Sequence, residues 1–117
     1  MGELQVGLIG YGTAARAVAE GIAEGKAGPA NLAAILVRRE LADVPDGTMA
    51  TIDLAAFLSQ PLDVVVELAG QEAVAQYGVA VLETGDDFLI LSIGALADDA
   101  LMADLRSAAE RGGSRIL

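Results

Sequence analysis

The chain has 117 residues, 54 % of them apolar and 21 % charged, a balance that suits one folded domain around one core and excludes a disordered tail. Cysteine and histidine are both absent, which excludes a disulfide framework and any metal centre built on those side chains; no metal site is expected. The formal net charge of −10, with Lys26 and six arginines as the only cations, excludes general nucleic-acid binding.

The opening residues Met1, Gly2, Glu3 and Leu4 carry no basic stretch followed by an apolar one, and no apolar run approaches membrane-spanning length. A cytoplasmic chain with no membrane contact is therefore expected. Residues 4–9 are an apolar run ending at a glycine and predict a strand. Residues 13–24 predict a helix, with Ala14, Ala17, Val18, Gly21 and Ile22 at helical spacing. A second strand is expected over 32–37, a loop around Pro45, Asp46 and Gly47, and a short third strand over 48–52. Asp53 reads as the N-cap of a short helix over 54–58, which Pro61 follows. The run 63–68 is the clearest buried strand. A helix over 71–83 follows, with Val74, Tyr77, Val81 and Leu82 on one side and Gly85 as its C-cap. Residues 88–93 predict another strand, and Asp98 or Asp99 opens a helix that runs to Arg111 and ends at Gly112 and Gly113. Residues 114–117 begin one more strand, so the sheet is expected to be cut at its last strand.

Strands alternating with helices mean a parallel sheet with right-handed crossovers and helices on both faces, a doubly wound α/β fold of Rossmann type over residues 1–117. The scarcity of aromatics, 3 %, agrees with a core of Ala, Val, Leu and Ile.

Between the first strand and the first helix stands Gly10-Tyr11-Gly12-Thr13-Ala14-Ala15, a Gly-x-Gly-x-x-Ala motif. Gly10 permits the tight turn, Gly12 lets backbone approach a pyrophosphate, and Ala15 lets the helix pack on the sheet. The helix N-terminus adds free N–H donors and the positive end of its dipole. A glycine pair alone is a weak signal; its placement between strand and helix gives the context that a dinucleotide site needs. An acidic residue about 20 positions further on usually reads the ribose 2′-hydroxyl. Here the second strand ends in Arg38-Arg39-Glu40. A guanidinium binds a 2′-phosphate through paired hydrogen bonds, so NADP is favoured over NAD, with Glu40 left as an alternative contact to the ribose. Arg16 is a third cation expected nearby.

Ligands of open α/β sheets sit beyond the carboxyl ends of the strands. Two such ends carry small residues: Ala69-Gly70-Gln71 and Ser92-Ile93-Gly94-Ala95. Gly70 and Gly94 leave room for a ring or ribose, or serve turn geometry alone. Gln71 and Ser92 are candidates to bond ribose hydroxyls or a carboxamide. Glu67 ends a strand expected to be buried on both faces, and a buried carboxylate needs partners; backbone N–H groups would make it a structural acid.

Taken together, the glycine motif, the strand Asp63-Val64-Val65-Val66-Glu67 running into Ala69-Gly70-Gln71-Glu72-Ala73-Val74, the stretch Leu91-Ser92-Ile93-Gly94-Ala95-Leu96-Ala97-Asp98 and the tail from Leu105 to Gly113 resemble the N-terminal domain of L-aspartate dehydrogenases. The resemblance covers nearly the whole chain. It implies an NAD(P)-dependent oxidative deamination of L-aspartate to iminoaspartate, which yields oxaloacetate in water or feeds NAD biosynthesis. It also implies a second domain beyond Leu117 that carries the catalytic histidine and the amino-acid site, a homodimer of the full-length protein, and no catalytic residue within this chain. Where the family often has histidine after the Ala-Gly pair, this chain has Gln71. The nucleotide domain of homoserine dehydrogenase is the nearest enzymatic alternative, and a non-catalytic NAD(P)-sensing module is the alternative of another class.

Overall fold

The computed structural model describes residues 3–117. Five parallel strands form one sheet: β1 (Leu4–Ile9), β2 (Ala30–Leu36), β3 (Met49–Thr51), β4 (Val64–Glu67) and β5 (Asp87–Ile90). Their order is β3-β2-β1-β4-β5. The helices are α1 (Thr13–Ala23), α2 (Leu54–Leu58), α3 (Gln71–Thr84) and α4 (Asp99–Gly112), with a 3₁₀ turn at Ile93–Ala97. The order reverses direction beside β1, which places a switch point between β1 and β4, where doubly wound sheets bind ligands.

Strand β1 is central because both faces of it find cover. Val6 and Leu8 pack with Ala15 and Ala19 of α1, Leu32, Ile35 and Val66 on one face. Ile9 joins Phe57, Val65, Val74, Leu82, Phe88 and Leu105 on the other, beneath α2, α3 and α4. Helices thus cover both faces, as the alternation predicts. The two phenylalanines, Phe57 and Phe88, are both fully buried on this second face. Strand β1 has no side chain at Gly7, where an added Cβ would stand 2.7 Å from the Phe57 ring. The sheet therefore accommodates the ring of Phe57, carried by α2, through a gap on β1.

Local chemistry sets the helix ends. Asp53 accepts from the Ala55 N–H at 3.0 Å and Asp98 from the Leu101 N–H at 3.1 Å, both as side-chain N-caps. Gly85 and Gly113 close α3 and α4 in the left-handed conformation. Most boundaries differ from the sequence-based expectation by one or two residues, within the usual ambiguity of helix and strand ends.

Two expectations need correction. The fifth strand stops at Ile90 rather than continuing to residue 93, and the chain turns into the 3₁₀ segment. Leu91 and Ile93 are apolar but 50 % and 70 % exposed, so their hydrophobicity does not report a strand position. The buried face of α1 is Ala15 and Ala19 flanked by Val18 and Ile22, while Ala14 and Ala17 face solvent. In a helix where nearly every residue is small, periodicity alone leaves the phase of the face open. After α4, Phe88 N–H donates to the Arg115 carbonyl at 2.9 Å and Leu117 N–H to the Phe88 carbonyl at 2.8 Å, so the last residues pair in parallel with β5.

Candidate functional site

The carboxyl ends of β1, β2 and β4 lie side by side because the sheet is parallel, and a cleft of about 710 Å³ opens above them. That size is typical of a small-molecule site. Its floor is Gly10, Tyr11 and Gly12. One wall is Leu36 to Arg39 with Leu41, and the other runs from Leu68 to Ala73 and on to Gln76 and Tyr77.

Gly10 has φ +96°, and a Cβ there would sit 3.0 Å from that of Ala69, so backbone conformation and contact both require glycine. Its N–H donates to the Leu36 carbonyl at 2.8 Å, extending the β1–β2 ladder into the loop. Gly12 differs. Its φ of −84° suits any residue, and a Cβ added there would meet nothing within 4 Å. Its missing side chain therefore leaves open space above the N-terminus of α1 rather than a packed contact. No side chain caps this helix, so its first-turn N–H groups, next in the chain to Gly12 of the cleft floor, lack an intrahelical acceptor. A pyrophosphate fits such a cradle: open volume, free donors and positive dipole coincide. Thr13 and Ala14 are exposed on this first turn, while Ala15 is fully buried against the sheet.

Arg38 and Arg39 are exposed and line the cleft wall next to β2. Among the described residues the ion pairs are Lys26–Glu24, Arg111–Glu83 and Arg115–Asp87, so neither arginine is neutralised by a neighbour. Glu40 lines a separate, smaller hollow with Val44, Thr48 and Ile52 and stands outside the main cleft's lining. Arg16 lies over the ring of Tyr11, 4.5 Å from its centroid, a cation–π contact with a residue of the cleft floor, but Arg16 itself stands outside the cleft lining.

The opposite wall is built on Glu67. This carboxylate is fully buried and accepts from the N–H groups of Ala69 at 2.8 Å, Gly70 at 2.7 Å and Ser92 at 2.8 Å, and from the Ser92 hydroxyl at 2.8 Å. Burial pushes its pKa up, but the hydrogen bonds from Gly70, Ser92 and Ala69 outweigh burial and hold the carboxyl below its usual value. It is the structural acid held by backbone N–H groups that the sequence allows.

The sequence-selected residues therefore divide. Gly10, Tyr11, Gly12, Arg38, Arg39, Ala69, Gly70 and Gln71 line one cleft. Thr13, Ala14 and Ala15, on the first turn of α1, and Ser92, Gly94 and Ala95 stand outside that lining. The Ser92 hydroxyl donates to Glu67, the Gln71 side chain occupies the space a Cβ at Gly94 would need, and Ala95 is buried in the core. The room expected at Gly94 for a ring is thus taken by Gln71. Sequence reasoning missed Leu41, Glu72, Gln76 and Tyr77 as lining residues. Their signal was available only in part: in α3, Gln76 and Tyr77 lie one helical turn beyond Glu72 and Ala73, which returns them to the cleft.

Strand order, cradle and cleft define a nucleotide-binding domain of the doubly wound class. The chain belongs to the family described as the NAD binding domain of homoserine dehydrogenase, whose model matches residues 10–117. It is 45 % identical to L-aspartate dehydrogenase 2 of Bordetella bronchiseptica over 116 residues, covering 96 % of this chain and 43 % of that protein. It is 36 % identical to the L-aspartate dehydrogenase of Archaeoglobus fulgidus over 112 residues, 95 % of this chain and 44 % of that one. The crystal structure of aspartate dehydrogenase from Thermotoga maritima superposes with a TM-score of 0.72 at 24 % identity, covering 98 % of this chain and 45 % of that chain, a likeness of fold. The chain thus spans less than half the length of the curated relatives it matches. Membership of that family implies a small-molecule nucleotide cofactor of the NAD(P) type as a partner. Among the described residues no helix is long and apolar enough to cross a membrane.

Proposed function

We propose that this chain is the NAD(P)-binding domain of an L-aspartate dehydrogenase and that it holds NADP(H) in preference to NAD(H). One observation carries the enzyme assignment: 45 % identity across 96 % of the chain to a protein named L-aspartate dehydrogenase 2. The cofactor preference rests on the unpaired Arg38 and Arg39 at the end of β2, with Glu40 turned to the neighbouring hollow.

In this reading the first-turn N–H groups of Thr13, Ala14 and Ala15 and the open space at Gly12 take the pyrophosphate. Arg38 and Arg39 take the adenosine 2′-phosphate. Ala69, Gly70 and Gln71 face the second ribose and the nicotinamide, with Ser92, Gly94 and Ala95 as the layer behind them. When bound, the cofactor supplies the acceptor for a hydride from the substrate's α-carbon. The chain's own residues bind it, orient it and keep its phosphates on the α1 dipole. Residues 1–117 form one Rossmann domain in which 114–117 open the last strand. The proton-transferring histidine and the amino-acid contacts belong to a second domain, through which the full-length cytoplasmic protein forms a homodimer.

The family description favours a second reading, the cofactor domain of a homoserine dehydrogenase. Substrate assays separate the two. The 117-residue chain given L-aspartate and either cofactor is expected to form no reduced nicotinamide above background. The product of the complete reading frame is expected to oxidise L-aspartate faster than L-homoserine. Oxidation of homoserine alone overturns the first reading, and turnover by the 117-residue chain overturns the placement of the chemistry in another domain.

A further inference from the structure

Strands β4 and β5 part company at Glu67 and Leu91. The last rung between them, Leu91 N–H to the Glu67 carbonyl, is long at 3.4 Å. Beyond it the Glu67 side chain takes over the connection. One carboxylate oxygen accepts from Ala69 N–H, Gly70 N–H and the Ser92 hydroxyl, the other from Ser92 N–H. Two donors belong to the loop that walls the cleft and two to the turn after β5, so a single buried anion ties two strand-end loops together.

We propose that Glu67 is a positioning residue for the nicotinamide half of the cofactor: it fixes the Ala69-Gly70 loop and, through Ser92, the turn whose Gly94 seats Gln71. This rests on reading the cleft as the NAD(P) site. With the adenosine phosphate at Arg38 and Arg39 and the pyrophosphate over Gly12, the other half of a dinucleotide runs across the end of β4.

That loop needs fixing. Gly70 has φ +117°, a conformation few other residues adopt, and glycine has the most backbone freedom to lose on ordering. A loop already held does not charge its ordering to the ligand's binding energy. The tie also requires an anion. Four donors converge on this carboxylate, three on one oxygen and one on the other, and none of them is matched by a group that could accept in return. Glutamine has the same shape, but its NH₂ would face N–H donors at one end or the other. Glu67 is fully buried and stands outside the cleft lining, so it is not placed to take a proton from substrate.

The test uses this chain and two ligands, NADPH and adenosine 2′,5′-bisphosphate, which carries the adenosine half alone. In Glu67→Gln the affinity for NADPH is expected to fall about tenfold, while that for the bisphosphate stays within about twofold. Ser92→Ala, which removes one donor of the four, is expected to weaken NADPH about threefold with the same sparing of the bisphosphate. Should Glu67→Gln fail to fold, Ser92→Ala carries the comparison. Equal weakening of both ligands would mean a general structural role and overturn the proposal, as would unchanged NADPH affinity. Failure of the unaltered chain to bind either ligand would instead overturn the reading of the cleft, and the proposal with it.

Discussion

Gly10 and Gly12 stand two positions apart in one motif and are glycine for opposite reasons. At Gly10 the backbone is left-handed and Ala69 is 3.0 Å from where a Cβ would be, so the fold needs the glycine. At Gly12 the backbone is ordinary and the space is empty, so the fold makes no demand for glycine there, whereas the pyrophosphate site proposed above does. Substitutions should separate the two demands. Gly10→Ala is expected to destabilise the domain by about 1–3 kcal/mol, the usual cost of a strained non-glycine conformation, read as a lower denaturation midpoint. Gly12→Val is expected to change stability by no more than about 1 kcal/mol, chiefly through a poorer helix cap. It should nevertheless abolish NADPH binding by calorimetry, because its side chain fills the pyrophosphate's place. Undiminished affinity in Gly12→Val would put the phosphates elsewhere. The motif announces both glycines in the sequence, but their different jobs emerge only from the torsion angles and the neighbouring atoms.

At the scale of elements, the strands and helices were legible because apolar runs and capping residues agreed: Asp53, Asp98 and Gly85 each cap the helix they announce. Legibility failed where apolar character and burial part, as at Leu91 and Ile93, and where uniformly small residues leave the phase of a helix open, as in α1. The junction of α3 and β5 hides a third feature. Asp86 follows the Gly85 cap, is 6 % exposed, and its Oδ2 has no hydrogen-bond partner among the described residues. Burial, with Asp63 and Asp87 adding repulsion, raises its pKa to about 6. Arg115 does not relieve it, being bound to Asp87, whose carboxyl the side-chain bond with Arg115 holds below its usual value. The folded chain thus takes up a proton at Asp86 near pH 6 that the unfolded chain takes up only near the ordinary aspartate value of 3.8. Stability should therefore rise as pH falls from 7.5 to 5. The lowered carboxyls, Glu67 and Asp87, oppose this only at more acid pH, below the usual carboxylate range, where they lose their bonds. Asp86→Asn is expected to be more stable than the unaltered chain at pH 7.5 by on the order of 2 kcal/mol, and to lose most of the gain between pH 7.5 and 5. Thermal melts of both proteins at the two pH values decide it; parallel pH profiles would show that Asp86 is not the group responsible.

Taken whole, the molecule is an anion of charge −10 that has to receive another anion. Its long-range field opposes binding, so a phosphate is held only where local donors exceed that background. The end of β2 is such a place, with two exposed arginines on the cleft wall and no ion-pair partner for either among the described residues. Glu72 is an acidic residue on the same lining, but it sits in the first turn of α3, on the wall opposite the arginines. A charge-assisted contact contributes about 1.5–3 kcal/mol when well formed and less at an exposed site. About 1.4 kcal/mol is a factor of ten, so NADP(H) is expected to bind about tenfold more tightly than NAD(H) in low salt. Added salt screens the unfavourable global field and the favourable local pair together. The Debye length is about 10 Å at 0.1 M, so the distant charges drop out first and the arginines in contact with the phosphate later. The preference should accordingly shrink with salt, since NAD(H) lacks the group the arginines contact and loses less. Arg38→Ala and Arg39→Ala should each narrow the gap, and the double variant should bind both cofactors alike. Titration of the unaltered chain with each cofactor in low and high salt reads all of this directly. A preference for NAD(H), or equal affinity in low salt, would mean that the arginines turn away from the ribose and that Glu40 or the backbone reads it in their place.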